Sequence, residues 1–68
     1  MVRVIVNGVS FYTTKKAIRE RRVGDNSTMN LAVAQLFENL HNGVGISSRI
    51  HVYDGKMNKV SYDIQINT

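Results

Sequence analysis

Apolar and polar residues alternate at the start of the chain, and this pattern predicts a β-hairpin over Val2–Thr13. Asn7-Gly8 stands at its midpoint, and Asn-Gly is well suited to the two positive φ angles of a type I′ turn. The predicted cross-strand pairs are Val6 with Val9, Val4 with Phe11 and Val2 with Thr13 on one face, and Arg3 with Tyr12 on the other. Turn chemistry and hydrophobic pattern therefore indicate one register.

The next segment, Thr14–Val23, predicts a short basic helix whose first turn is capped by Thr13 or Thr14. The cations that share one side at helical spacing are Lys15, Arg19 and Arg22. The apolar surface of this segment is thin, and a helix of about ten residues is marginal on its own in water. We therefore expect it to be held by docking, or to order when a partner binds.

A second helix is predicted over Thr28–Asn42, where apolar residues recur at three- and four-residue spacing. They form a single stripe of Met29, Ala32, Val33, Leu36, Phe37 and Leu40. Gly43 suits the left-handed position that follows a helix, and Val44 suits the apolar position after it. Burial of the larger side chains contributes roughly 8–15 kcal/mol on transfer scales, so we expect this helix to organise the core.

The C-terminal part, from about Ile46 to Ile66, predicts a second hairpin around Asp54-Gly55. A two-residue loop would place polar and apolar residues on both faces, so an odd loop such as Tyr53–Gly55 is expected, with Gly55 in the left-handed position. Two odd registers remain open. Either register gives an outward face of Arg49, His51, Lys59, Ser61, Asp63 and Gln65.

These elements predict an α+β fold of order ββααββ, a four-stranded antiparallel sheet with two helices packed on one face. We expect residues 1–68 to form a single domain. The sequence does not determine which strands are neighbours. Val2–Val6 and Val60–Ile66 are the most apolar segments, which favours pairing of the first and last strands at the centre of the sheet.

Charge is unevenly distributed along the chain. Six of the nine Lys/Arg residues and one acid, Glu20, fall within the first 22 positions, which therefore carry +5. The other 46 positions hold three Lys/Arg and four acids and carry −1, so the formal net charge is +4. Charge segregated in this way creates a local field that attracts phosphates or acidic protein surfaces.

Two candidate anion-binding surfaces follow from this distribution. The basic helix segment contributes Lys15, Lys16, Arg19, Arg21 and Arg22, and the outward sheet face contributes Arg3, Tyr12, Arg49 and Lys59. Cations interleaved with aromatic rings on strands can hold phosphates and stack bases. Simpler interpretations stand beside these: a solvated helix face, and ordinary cross-strand pairing of Arg with Tyr.

The residues that catalysis or metal binding would need are missing. The sequence has no cysteine, so no disulfide, thiolate nucleophile or thiolate zinc ligand can form. His41 and His51 have no third ligand at metal-binding spacing, and no nucleophile elbow or glycine-rich phosphate loop is present. We therefore expect a protein that is not an enzyme and has no metal or cofactor.

The first apolar run is too short for a signal peptide or a membrane span, so a cytoplasmic protein without membrane association is expected. The glycosylation pattern Asn26-Ser27-Thr28 is then interpreted as helix-capping material. Leu31 lies on the polar side of the second helix beside Ala34. A single exposed leucine is common, but both residues could instead touch the first helix or a second copy, so a homodimer is one prediction.

The chain is similar in style to the compact, cysteine-free accessory proteins of bacteriophages and other mobile elements, which implies binding to or inhibition of a host factor. Two functions are therefore weighed. The first is a small nucleic-acid-binding module, for DNA or RNA, that uses the basic helix and the sheet face. The alternative is a protein-interaction module, an accessory or inhibitor protein, that docks on an acidic or nucleic-acid-binding surface of a larger protein.

Overall fold

Four antiparallel strands and two helices make up the protein, in a computed structural model that describes residues 1–43 and 49–67. In chain order the elements are β1 (Val2–Val6), β2 (Val9–Thr13), α1 (Lys15–Arg19), α2 (Ser27–His41), β3 (Arg49–Tyr53) and β4 (Lys59–Asn67). The strands form one sheet in the order β2-β1-β4-β3, and both helices bury side chains against one face of it. The predicted ββααββ order and α+β class are confirmed.

The first hairpin has the predicted register, from Val2 opposite Thr13 to Val6 opposite Val9. Asn7 and Gly8 have φ angles of 49° and 84°, as a type I′ turn requires. Asn7 also forms two hydrogen bonds with the main chain of Asp63, which the sequence did not predict. Its N–H donates to the carbonyl of Asp63 at 2.7 Å, and its Oδ1 accepts from the Asp63 N–H at 2.9 Å. The turn is therefore bonded directly to β4.

Strand β4 is the longest strand, and its two halves pair with different neighbours. The C-terminal half lies antiparallel to β1, with Ile64 opposite Val6 and Ile66 opposite Val4. The N-terminal half lies antiparallel to β3, with Val60 opposite Val52. The first and last strands are thus neighbours at the centre of the sheet, as their apolar character suggested.

The core lies between the sheet and α2. Its buried apolar residues are Val2, Val4, Val6, Ile18, Ala32, Val33, Leu36, Ile50 and Ile64. Helix α2 begins and ends one residue earlier than predicted. Its start is determined by the Asn26 side chain, which caps it by accepting from the N–H of Met29 at 3.0 Å. Gly43 has the predicted left-handed φ of 72°, and Val44 lies outside the described residues.

Helix α1 is shorter than predicted: it spans Lys15–Arg19 and does not reach Val23. Its cap is Thr14, whose Oγ1 accepts from the N–H of Ala17 at 3.1 Å. The helix ends because Arg21 adopts the left-handed conformation, with a φ of 58°. An arginine at this position carries no sequence signal, since glycine is the usual residue there.

The connection between the helices is fixed by a buried amide. Asn30, which is 6% exposed, accepts from the N–H of Gly24 at 3.0 Å and donates to the carbonyl of Gly24 at 2.9 Å. One side chain thus satisfies both main-chain groups of a connector residue. Asn30 therefore holds the connector against the first turn of α2.

The second hairpin has an odd loop, as expected, but a longer one than Tyr53–Gly55. Tyr53 pairs with Lys59, so the loop spans Asp54–Asn58, and the left-handed residue is Met57 (φ 65°) rather than Gly55. The Asp54 carboxylate organises it by accepting from the N–H groups of Lys56 at 2.8 Å and Asn58 at 2.9 Å. The predicted outward face is confirmed as exposed: Arg49, His51, Lys59, Ser61, Asp63 and Gln65.

Replacing Asn30 by alanine should lower the free energy of unfolding by about 1–3 kcal/mol, because the N–H and carbonyl of Gly24 lose their partner in a part-buried place. Chemical denaturation followed by circular dichroism measures this. Asn39→Ala is the matched control, since it removes a surface hydrogen bond with Gln35, and it should cost less than about 0.5 kcal/mol. Equal losses in the two variants would contradict the assigned role of Asn30.

Asp54 should make stability depend on pH in the acid range. Hydrogen bonds from the backbone N–H groups of Asn58 and Lys56 lower the pKa of Asp54 below its ordinary value of 3.8. A carboxyl group with a lowered pKa in the folded state stabilises the fold above its unfolded pKa, and that contribution is lost as pH falls through the folded pKa. Between about pH 5 and pH 2, Asp54→Asn should therefore lose less stability than the wild type, measured by urea denaturation.

A candidate anion-binding corner

The basic corner, which we define as residues 15–22, consists of α1 and the turn that closes it. Its five cations, Lys15, Lys16, Arg19, Arg21 and Arg22, are all exposed, and so is its one acid, Glu20. Ile18 is the anchor of the segment, because its side chain is fully buried in the core. The corner therefore presents its charge outward from one apolar attachment point.

Main-chain hydrogen bonds give the corner a defined shape. The N–H of Arg22 donates to the carbonyl of Ala17 at 2.9 Å, and the N–H of Arg21 donates to the carbonyl of Ile18 at 3.1 Å. These are the two bonds of a Schellman ending, with Arg21 in the position that glycine normally occupies. Because the helix ends at Arg19, Arg22 lies beyond it, and the predicted helical stripe through Lys15, Arg19 and Arg22 does not exist as such.

Among the described residues, the cations of the corner form no ion pair with an acid. Across residues 1–43 and 49–67 the single ion pair joins Arg49 to Asp63 at 3.3 Å, on the sheet. Within the same residues none of the five corner cations has an acid within ion-pair distance. Ion pairs within the described residues therefore leave the charge of the corner uncompensated.

Arg19 and Arg21 turn toward α2. The guanidinium carbon of Arg19 lies 5.5 Å from the centre of the Phe37 ring, within the range of a cation–π contact. Both arginines line a shallow depression together with Ala34 and Glu38 of α2. Phe37 was predicted as a core residue, and nothing in the spacing along the chain indicated that Arg19 would cover it.

Leu31 and Ala34, the predicted contact residues, lie on the outward side of α2. Leu31 is 41% exposed and Ala34 is half-buried. They line a second depression that also includes Arg21 and Glu38, so the two depressions are adjacent. Leu31 thus stands beside the turn that follows α1.

The sheet-face candidates are more dispersed than the corner. Lys59 pairs with Tyr53, while Arg3 pairs with Asn67 eight residues further along β4, which separates the two cations by about 27 Å at strand rise. Two of the sheet-face cations are also engaged. Arg3 Nε donates to Ser10 Oγ at 3.0 Å, and Arg49 is ion-paired with Asp63.

The candidate cations lie on two layers of the fold. Arg3 and Tyr12 face each other on the open side of the sheet, where Tyr12 is 65% exposed. The corner belongs to the helix layer on the other side, since Ile18 packs into the core. Lys15 lines a shallow depression with Met1 and Val2 at the start of β1.

The described part of the chain has no group of three or more His, Cys, Asp or Glu side chains that could hold a metal ion. None of the described helices is long and apolar enough to cross a membrane. No protein-family model, curated protein or solved structure matches the chain. Inferences about function therefore rest on the geometry of its own residues.

Replacing Arg21 by glycine should raise the free energy of unfolding by up to about 1 kcal/mol. The left-handed backbone strains a residue that has a Cβ but not glycine, although glycine also gains entropy in the unfolded chain. Denaturant titration measures the change. Arg22→Gly is the control. Arg22 has no positive φ, so glycine relieves no strain there and this variant should be less stable than the wild type. A loss of stability in Arg21→Gly as large as that in Arg22→Gly would contradict this interpretation.

Proposed function

We propose that the protein binds nucleic acid through phosphate contacts made by the basic corner. The supporting observation is that five exposed cations share a segment of eight residues in which no acid pairs with them among the described residues. Lys and Arg side chains that neutralise phosphates release condensed counterions, and this release is the main source of affinity in such complexes. The fixed turn at Arg21 holds the cations close together before binding.

The geometry favours contacts with the backbone over recognition of base sequence. Helix α1 has five residues and spans about 7.5 Å, which is too short to place several side chains along a groove. Phosphate contacts position a protein without carrying sequence information. On the sheet face, Tyr12 beside Arg3 offers an exposed ring at the end nearest to Lys15, where an unpaired base could stack.

The alternative function is docking of an acidic protein surface on the same corner. The adjacent depressions beside α2 favour it, because exposed Leu31 and half-buried Ala34 lie next to Arg21 there. Apolar contact combined with a cation is typical of protein interfaces rather than of phosphate binding. In this case Leu31→Gln would weaken the complex, whereas binding of nucleic acid through the corner would be unchanged by it.

Fluorescence anisotropy with labelled duplex DNA, single-stranded DNA and RNA tests the proposal. With three to five phosphates neutralised, log K should fall against log salt with a slope of about −3 to −4.5 for duplex DNA. Lys15→Gln/Arg22→Gln should make that slope less steep by about 2, because each lost cation removes one phosphate contact. Neither side chain takes part in a hydrogen bond or ion pair among the described residues, so the fold should be retained.

The matched control is Lys56→Gln/Lys59→Gln, which removes the same charge at the β3–β4 end of the sheet. It should change the slope much less than the corner variant. Equal effects of the two double variants would show that net charge alone drives binding, and would overturn the assignment to the corner. Absence of binding to all three probes at about 50 mM salt would overturn nucleic-acid binding itself.

A further inference from the structure

Among the described residues, strand β2 is an edge strand with no strand paired to its outer side. In the sheet order β2-β1-β4-β3 it has one neighbour, β1. The residues that flank a two-residue turn form a hydrogen-bonded pair, and such pairs alternate with non-hydrogen-bonded pairs along the hairpin. Ser10 and Tyr12 fall at the non-hydrogen-bonded positions, so their main-chain N–H and C=O groups point away from β1.

The side chains of β2 leave this edge open as well. The strand reads Val9-Ser10-Phe11-Tyr12-Thr13, with no charge, no proline and high β propensity. Helix α2 lies over β3 and β4, towards the edge of the sheet opposite β2. As a result Val9, on the helix-side face, is 67% exposed, and Phe11 is half-buried.

The opposite edge is protected by comparison. Strand β3 carries Arg49 at its start, and a charged edge is a common device against pairing of strands between molecules. His51 of β3 is engaged with Ser61, with 2.6 Å between Nδ1 and Oγ. Within residues 1–43 and 49–67 the two edges therefore differ, because β3 carries a charged residue and β2 carries none.

We propose that β2 pairs with β2 of a second copy of this chain, antiparallel about a two-fold axis at Phe11. In this register Ser10 of each copy lies opposite Tyr12 of the other, so the outward N–H and C=O groups of both residues are used in four intermolecular hydrogen bonds. The two Phe11 rings meet at the axis, and Val9 lies opposite Thr13. An eight-stranded sheet results.

A second copy fits this edge because the pairing is self-complementary. With a two-fold axis at Phe11, each outward N–H of Ser10 or Tyr12 meets a C=O of the other residue in the second copy, which is the isologous arrangement of most homodimers. Two copies that each carry +4 repel each other, but β2 itself has no charged residue. The paired strands therefore do not bring like charges of β2 together. The basic corners follow β2 and therefore lie at opposite ends of the paired strands.

Sedimentation velocity of the protein without nucleic acid, from about 1 µM to about 1 mM, tests the inference, and a concentration-dependent dimer is expected. Raising salt from about 50 to about 300 mM should strengthen it, because salt screens repulsion between the two +4 copies. Salt has the opposite effect on nucleic-acid binding, which it weakens. Because the experiment contains no nucleic acid, its failure would not bear on the proposed function. A monomer throughout this range would overturn the dimer.

Ser10→Pro and Ser10→Ala form a matched pair of variants. Both lose the side-chain hydrogen bond with Arg3, but proline also removes an N–H that points away from β1. Ser10→Pro should therefore raise the dissociation constant of the dimer at least about tenfold relative to Ser10→Ala. Equal association of the two variants would overturn the β2 register.

A second comparison does not depend on proline being tolerated in the strand. Tyr12→Lys adds a charge at the proposed contact, and Tyr53→Lys adds the same charge at the β3 edge, where the tyrosine is similarly exposed (65% and 61%). Tyr12→Lys should weaken the dimer and Tyr53→Lys should leave it as in the wild type. The reverse result would assign the contact to β3 and overturn the inference.

Discussion

The fold depends on the pairing of β4 with both β1 and β3. Without β4, the first hairpin and the β3 edge would have no hydrogen-bonded connection, because the sheet is joined through Ile64 and Ile66 on one half and Val60 on the other. The pair of Val4 with Ile66 closes almost the whole chain into one loop. Contacts between residues so distant in sequence are slow to form, so β4 is expected to join a hairpin and a helix that have begun to order locally.

Local signals in the sequence were sufficient for much of this architecture. Asn7-Gly8 determined the first register, and the apolar stripe determined the extent of α2 to within one residue. The signals failed where a residue other than glycine or asparagine adopts a positive φ. Arg21 and Met57 do so because hydrogen bonds around them compensate the strain, and such compensation cannot be read from residue type. The hydrogen bonds between Asn30 and Gly24 were likewise not predictable from residue type, because they form only when the connector folds back on α2.

The candidate site shows a similar division. Exposure of the basic residues could be predicted from their charge, and their clustering at the corner follows from their proximity in sequence. The placement of the corner and of the Arg3–Tyr12 pair on different layers could not be predicted, because it depends on the layer to which α1 belongs. That layer is determined by Ile18, one buried side chain in a mostly polar segment. The sheet face is accordingly a weaker candidate than the sequence suggested.

The attachment of the corner through so few groups has an evolutionary consequence. Its shape is maintained by Ile18, by the Thr14 cap and by backbone hydrogen bonds, and among its exposed cations only Arg21 has a positive φ that makes the backbone sensitive to residue type. Mutations at those exposed positions can alter or reverse the surface potential at little cost in folding. Lineages descended from such a protein are free to diversify in ligand preference while the scaffold itself is retained under selection.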